Sequence, residues 1–198
     1  MPQFGLRHIY AAKYVNNAGT VTYTDKQHVG DAMVANIELR FAEGRLYAED
    51  ALAEYMRKAV GGTISLGVKY IKSAAQPLLF GTRTKQRTIT YQTGTTTATA
   101  SVDSIVLGGQ DEGNYVGVAF YAPDLVDGVK KYTCVLIKKA LFGPPSMSLQ
   151  TAGESIQFNT PTTSGEFLAD DSATEDLYEI ASVDSIAAAE AWVAAVLS

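Results

Sequence analysis

The sequence predicts a mainly β protein: an antiparallel β-sandwich or barrel with one short internal helix and one C-terminal helix. Most extended segments alternate apolar with polar residues, which is the period of a strand with one buried face. The composition agrees, because 11 Tyr, 7 Phe and many Thr and Val suit half-buried pleated surfaces. With 198 residues, 46% of them hydrophobic, the chain is expected to form a single domain over residues 1–198.

The N-terminal half is predicted to contain three main strands. The first covers residues 6–14, and a turn rich in Asn and Gly leads into a short returning strand. The second covers residues 35–41, with a polar face opposite an apolar one, and is expected to end in a loop. The third covers residues 63–71. The Gly61-Gly62 pair before it is typical of a hairpin turn.

A short helix and a polar hairpin are predicted in the middle of the chain. Ser73 and Gln76 have the spacing of a capping box at a helix start, and Gly81 is expected to end that helix. Residues 83–107 are rich in Thr and have weak apolar periodicity. They are predicted to form a hairpin that turns near Gly94, with a poorly specified register.

The C-terminal half is predicted to begin with two long paired strands. These cover residues 116–120 and 129–141, with a turn at residues 123–128. A loop containing two prolines follows. Another alternating strand is then expected through residues 153–159, running into a Thr-Pro-Thr-Thr bend at residues 160–163.

The chain is expected to close with a short strand at residues 176–181 and a helix at residues 184–197. Asp184 is predicted to cap that helix. The helix has too little polar surface to stand alone, so it must pack on a sheet or on a neighbour.

The charges are unevenly distributed along the chain. All 16 Lys and Arg residues lie between Arg7 and Lys139, whereas nine acids and no base occur from Glu154 onward. A chain with a net charge of −5 is poorly suited to gripping phosphate backbones. The acidic end is interpreted either as a solvated surface or as a contact with a complementary subunit.

The sequence offers no catalytic or metal-binding constellation. Cys134 is the only cysteine, so it has no disulfide partner within the chain, and it is predicted to be a buried, unreactive thiol. His8 is predicted to lie on the apolar face of a strand and His28 on the surface, without zinc-ligand spacing. The acids at residues 170–176 lack the spacing of a calcium loop. Phosphate-loop and hydrolase-elbow motifs are absent, so the prediction is no enzyme, no cofactor and no metal.

The order of several segments resembles the major tail proteins, or tail tube proteins, of long-tailed phages that infect Gram-positive bacteria. The segments are LYAED at 46–50, GGTISLGV at 61–68, NYVGVAFY at 114–121, DGVKKYTCVLIKKALF at 127–142, GESIQFNTPTTSGEF at 153–167 and IAAAEAWV at 186–193. The resemblance covers most of the chain. It departs at the Thr-rich stretch of residues 87–101, which is interpreted as part of an insertion.

The resemblance implies a structural role in a virion. Members of this family share a β-sandwich with type VI secretion tube proteins, and they form hexameric rings that stack into a hollow tube. The implied partners are other copies of the chain, a tape-measure protein inside the tube, and the tail terminator and distal tail or baseplate proteins at its ends. Double-stranded DNA passes through the tube during ejection. The implied location is the virion tail, after assembly in the host cytoplasm, and no membrane-spanning run or secretory signal is evident.

Two sets of residues are expected to serve that assembly. The loop at residues 41–51 is expected to contact the adjacent ring, or else to be an ordinary exposed hairpin tip. Its candidate contacts are Glu43, Arg45, Tyr47, Glu49 and Asp50. The candidates for a net acidic or nearly neutral lumen are Asn36, Glu38, Arg40, Thr63, Ser65 and Lys69. An N-terminal arm at residues 1–5 and the stretch at residues 170–176 are further candidates for contacts between subunits.

The sequence is also compatible with other functions. A monomeric glycan-binding β-sandwich would need an exposed aromatic platform, which the single Trp192 on a predicted helix does not supply. A hydrolase on a jelly-roll scaffold has no nominated carboxylate pair. A contractile-tail tube protein, a secretion tube protein or a tail terminator would share the same fold.

Overall fold

The computed structural model describes residues 5–48, 51–126, 128–146 and 160–198, which form ten strands and two helices. The strands are β1 (Arg7–Asn17), β2 (Thr20–Gly30), β3 (Ala32–Ala48), β4 (Ala51–Val68), β5 (Arg83–Thr93), β6 (Thr96–Val106), β7 (Tyr115–Val126), β8 (Val129–Phe142), β9 (Thr162–Leu168) and β10 (Tyr178–Val183). The helices are α1 (Ala75–Phe80) and α2 (Ile186–Val196). A mainly β, antiparallel fold with a short internal helix and a C-terminal helix is therefore confirmed.

One large antiparallel sheet curls around the core and forms two layers. Its strand order is β2-β1-β7-β8-β9-β4-β3, and β10 adds to β8. One edge of β8 pairs with β7, whereas the other pairs with β10 and, near its end, with β9. Strand β8 thus joins a first layer (β2, β1, β7, β8, β10) to a second layer (β9, β4, β3). The chain passes between the layers at Asp31, whose carbonyl accepts a hydrogen bond from the Lys69 amide.

The main core lies between the two layers. Strand β4 contributes Ile64, Leu66 and Val68, all fully buried, while Thr63 before them is exposed and Ser65 is half-buried. This alternation is the one predicted. Helix α1 seals the core with Leu78, Leu79 and Phe80, packing against β1, β2, β7 and β8.

The Gly61-Gly62 pair lies inside β4 rather than at a hairpin turn, so that prediction is wrong. A Cβ at Gly62 would clash with the Phe167 ring and with the Glu38 carbonyl. Gly61 has a φ of 143°, at the register shift where β4 bulges opposite β3. These glycines therefore provide close approach and a bulge, whereas sequence alone suggested a turn.

A second, smaller core lies on the opposite face of the first layer, under α2. Ala189, Val193 and Leu197 of the helix region pack against buried residues that include Tyr121 and Cys134. The prediction that α2 packs on a sheet and that Cys134 is buried is confirmed.

Both helix starts differ from prediction. For α2 the cap is Ser185, whose hydroxyl accepts a hydrogen bond from the Ala188 amide at 3.1 Å. The predicted cap Asp184 instead pairs with Lys131 at 3.2 Å. For α1 the N-cap position is Ala74 with helical dihedrals, so the capping box does not form. The helix does end at Gly81, in the left-handed conformation, as predicted.

The predicted loop at residues 41–51 is instead part of a long hairpin. Strand β3 runs to Ala48 and β4 begins at Ala51, and the two stay paired throughout. Cross-strand partners such as Glu43 with Arg57 explain this pairing, because opposite charges face each other on the ribbon. Glu49 and Asp50 lie outside the described residues.

Three other segments refine the predicted strands. Strand β7 continues through Pro123, expected in a turn, as far as Val126. Residues 153–159 lie outside the described part of the chain. The predicted bend at residues 160–163 already contains the start of β9 at Thr162. Residues 83–107 form a hairpin as predicted, but its register is continuous from Arg83–Val106 to Thr93–Thr96.

Candidate assembly surfaces

Half of the β3–β4 hairpin projects beyond the body of the protein. Strand β9 pairs with β4 only from Gly62 to Gly67. Residues 41–48 and 51–59, here called the distal ribbon, therefore have each other as their only strand partners among the described strands. At the usual strand rise, the distal ribbon extends about 25 Å.

Three of the predicted ring-contact residues share one face of the distal ribbon. Glu43 lies opposite Arg57, and Arg45 lies opposite Tyr55, which places Glu43, Arg45 and Tyr47 on the same side. The Glu43 carboxylate is 3.4 Å from Arg57 and 3.6 Å from Arg45. The structure thus brings these residues together. Their role in ring contacts stays a prediction.

The same face carries aromatic rings under the guanidinium groups. The Arg57 guanidinium lies 3.8 Å from the centroid of the Phe41 ring, and that of Arg45 lies 5.7 Å from Tyr55. Exposed ion pairs and cation–π contacts of this kind contribute roughly 0–1 kcal/mol each. They order the surface of the distal ribbon more than they stabilise it.

The distal ribbon exposes large apolar side chains to solvent. Tyr47 is 62% exposed, Met56 is 75% exposed, and Leu46 is exposed on the same side as Met56. An isolated two-stranded ribbon is marginally stable in water, and exposed apolar side chains on free strand edges invite association. The distal ribbon is therefore a surface that a partner would stabilise.

The predicted lumen residues form a polar face on the outside of the second layer. Asn36 lies opposite Ser65, Glu38 opposite Thr63, and Arg40 on the same ladder, whereas the apolar side chains between them point to the core side. Strand β9 adds Glu166, which pairs with Arg40 at 3.2 Å.

This polar face has little net charge. Glu38 and Glu166 supply two carboxylates and Arg40 one guanidinium. Lys69 is not on this ladder, because β4 ends at Val68 and the Lys69 amide bonds to the carbonyl of Asp31. Five of the six lumen candidates are thus brought together. Whether they line a lumen stays a prediction.

An apolar groove follows the free edge of β3. Two adjoining cavities of about 340 and 360 Å³ share a floor that includes Phe120 and Val135. Its walls include Ile37 and Leu39 on β3 and Ile180 on β10, which is 58% exposed. No charged side chain lines these cavities among the described residues. We call this feature the β3 groove.

The Thr-rich hairpin, β5 and β6, forms a sheet of its own. Every residue of β5 is exposed. One face carries Ile89 and Tyr91, flanked on β6 by Val102, while Thr90 points to the opposite face with its partner Thr99. This hairpin is a second exposed ribbon, with one face that is apolar toward the tip and carries Arg87, opposite Val102, toward the root.

Several acids of the C-terminal quarter pair with bases from earlier in the chain. Lys139 lies 2.8 Å from Asp171, and Lys58 lies 3.3 Å from Glu175. Arg40 and Lys131 bind Glu166 and Asp184 in the same way, as described above. The acids in these pairs are therefore balanced within the chain, whereas Glu179 and Glu190 take part in none of the ion pairs formed by the described residues.

The most buried of these ion pairs centres on Lys138. Its ammonium contacts the carboxylates of Asp170, which is 4% exposed, and Asp176. Burial alone would lower the pKa of Lys138, but its hydrogen bonds to Asp176 and Asp170 outweigh burial and raise that pKa. The same hydrogen bond from Lys138 lowers the pKa of Asp176. We call this group the Lys138 clasp.

The two histidines lie close together, with ring centroids 5.9 Å apart, and the rings of Tyr10 and Tyr121 pack beside them. His8 is exposed, not on the apolar face as predicted, because it has a φ of 51° at an irregularity in the β1–β7 pairing. Burial lowers the pKa of the partly buried His28, and burial also raises the pKa of the Cys134 thiol. Over the described residues, no three potential metal ligands cluster.

Neither described helix is long and apolar enough to span a bilayer. No protein-family model matches the chain, and no curated protein matches it either.

Proposed function

We propose that this chain is a structural virion protein whose copies assemble into stacked rings that form a phage tail tube. The resemblance to tail tube proteins implies that each ring is a hexamer. The tube encloses a tape-measure protein and conducts DNA during ejection. The observation that carries the proposal is the distal ribbon, which leaves the sandwich with both faces in solvent. The protein has no enzymatic role and needs no cofactor.

The distal ribbon supports assembly because burying its exposed apolar side chains in a contact would be favourable in free energy. Fully burying a side chain such as Leu46 or Met56 contributes about 1.5–3 kcal/mol. A ribbon that reaches about 25 Å from the body can make that contact with the next ring. Because the ribbon and the surface that receives it differ, the contact is heterologous and propagates from copy to copy.

The polar face of the second layer supports a lumen. Moving DNA requires a wall that forms few phosphate contacts, since each Lys or Arg contact strengthens binding. The face that holds Asn36, Glu38 and Thr63 carries a small net negative charge and hydrogen-bonding side chains. DNA can slide past such a wall in a layer of water.

The implied partners follow from the position of a tube in a tail. Copies of the chain contact each other within and between rings, the tape-measure protein fills the tube, and the tail terminator and distal tail or baseplate proteins cap its ends. DNA contacts the lumen only in passage. No membrane partner is proposed.

The oligomeric state of the full-length protein tests the proposal. Sedimentation velocity and negative-stain microscopy over a range of concentrations are expected to show rings or hollow tubes. A single species of 21.2 kDa at every concentration would overturn it. Glycan binding by that monomer would favour the carbohydrate-binding alternative.

A further inference from the structure

Two features of the molecule have no role in the contacts proposed so far: the β3 groove and the Thr-rich hairpin. We propose that the β3 groove binds the β5–β6 hairpin of a second copy of this chain, an inference that rests on the proposed function. The contact is separate from that of the distal ribbon.

The β3 groove has the chemistry of a site for an extended strand. Strand β3 pairs only with β4 among the described strands, so its other edge presents unpaired backbone groups. Beside that edge, Phe120 and Val135 form an apolar floor. A free strand edge next to an apolar floor can bind a β-strand of another chain. Main-chain hydrogen bonds to the edge supply affinity, and the floor favours apolar side chains at every second position of the bound strand.

The Thr-rich hairpin matches that requirement. Its two strands have eleven residues each; β5 is exposed throughout, and β6 is exposed or half-buried at every position. A standard protein interface uses about 20–30 residues a side. Ile89 and Tyr91 are two residues apart on one face, the same spacing as Ile37 and Leu39 in the groove wall. The facing positions on β6 include the small Ala100, which leaves room for close packing.

The positions of the two features favour a contact between copies. The hairpin root is held by Arg83 with Asp111, next to the end of the β7–β8 ladder where Tyr115 pairs with Leu141. The floor of the groove, where Phe120 pairs with Val135, lies five to six residues further along that ladder, roughly 17–20 Å away. A hairpin of one copy in the groove of the next is a head-to-tail contact that propagates into a ring or filament.

The hairpin suits this groove better than the distal ribbon does. Both faces of the distal ribbon carry charges, since Glu43, Arg45 and Arg57 share one face and Glu54 and Lys58 flank Met56 on the other. Either face would bring charges onto a floor without charged partners, which costs desolvation energy. The apolar face of the hairpin carries Ile89 and Tyr91, and its bases lie nearer the root.

Cross-linking between variants that each carry one added cysteine tests the contact. Ile37→Cys in the groove is mixed under oxidising conditions with Tyr91→Cys on the apolar face of the hairpin. The native Cys134 is buried and stays unreactive. Matched controls are Thr90→Cys on the opposite hairpin face and Tyr47→Cys on the distal ribbon. Because each molecule carries one of the two sites, a mixed dimer identified by intact mass reports a contact between copies.

The expected result is several-fold more mixed dimer with Tyr91→Cys than with Thr90→Cys or Tyr47→Cys. Equal yields for the two hairpin faces would overturn the proposal. A dominant yield with Tyr47→Cys would also overturn it, by showing that the distal ribbon occupies the groove. If tubes form without this cross-link, the proposed function stands and the inference fails. If the cross-link forms without tubes, the contact between copies stands and the proposed function fails.

Discussion

The two halves of the β3–β4 hairpin have similar alternation but opposite surroundings. In the proximal half, β9 covers the edge of β4, and Ile64 and Leu66 are fully buried. In the distal half the same strands continue with no third strand, and Leu46 and Tyr47 are exposed. Burial is thus decided by what lies across from a strand and not by its own pattern, so the distal half resembles an interface whose partner is a separate molecule.

The largest expected difference between the halves is in core packing. We expect Leu66→Ala to lower the free energy of unfolding by about 2–5 kcal/mol, because it leaves a cavity in a packed core. Leu46→Ala in the distal ribbon is expected to change it by less than about 0.5 kcal/mol. Urea unfolding of the monomer measures both. Similar losses for the two variants would contradict the comparison.

Glycine substitutions give a second, smaller contrast. Gly62→Ala places a Cβ against the Phe167 ring and the Glu38 carbonyl, so we expect a loss of about 1–3 kcal/mol. Nothing lies within 4 Å of a Cβ at Gly44 in the distal ribbon. Gly44→Ala is expected to be neutral or slightly stabilising. Thermal unfolding of the pair is the measurement, and a destabilised Gly44 variant would show that the distal ribbon is already packed in the monomer.

Acid is expected to weaken the body through the Lys138 clasp. The lowered pKa of Asp176 contributes stability above its unfolded-state pKa, and this contribution is lost as pH falls through the folded-state pKa. The raised pKa of Lys138 affects stability in a separate, alkaline pH range. Its contribution to stability is lost only as the pH rises through the folded-state pKa of Lys138.

The test compares urea midpoints from about pH 5 to about pH 3, the range in which carboxyl groups titrate. We expect the midpoint to fall, and Asp176→Asn to flatten that fall. The matched control is Glu43→Gln in the distal ribbon, where an exposed ion pair contributes little. An identical pH dependence for wild type and Asp176→Asn would remove the clasp as its cause.

A small effect on monomer stability, and the clearest effect on assembly, is expected from charge reversal on the distal ribbon. Arg45→Glu places a second carboxylate beside Glu43 and removes the cation over Tyr55. Unfolding should change by under about 1 kcal/mol, while tubes in micrographs become shorter or fail to form. Lys13→Glu on β1 is the control for net charge. If the Arg45→Glu variant formed tubes of normal length, the distal ribbon would have no role in the contacts between rings.

The strands could be predicted from the sequence where the alternation of apolar and polar residues matches the alternation of buried and exposed side chains. The faces of Ile64 and Leu66 and the packing of α2 follow from period alone. The extent of β3 did not follow, although the alternation continues through Glu43, Arg45 and Tyr47. The acids and the glycine in that stretch have turn chemistry, and this local signal obscured the cross-strand pairing that only the partner β4 reveals.

The misassigned positions depend on contacts that are distant in sequence. Gly62 is needed because Phe167, more than a hundred residues later, passes over it. The β3 groove is formed by β3, β7, β8 and β10, which no local window contains. The apolar spacing of Ile37 and Leu39 was visible. Their incomplete burial was not, because it depends on how far the second layer covers the first.

The position of β8 in the chain also bears on the order of events during synthesis. Both strands that cover its second edge, β9 and β10, are made after it, as are the carboxylates that bind Lys138 and Lys139. A nascent chain that has reached only Phe142 therefore carries uncompensated lysines on an open strand edge. We expect repulsion between such lysines to disfavour pairing of this edge with that of a second nascent chain until the acidic quarter has been made.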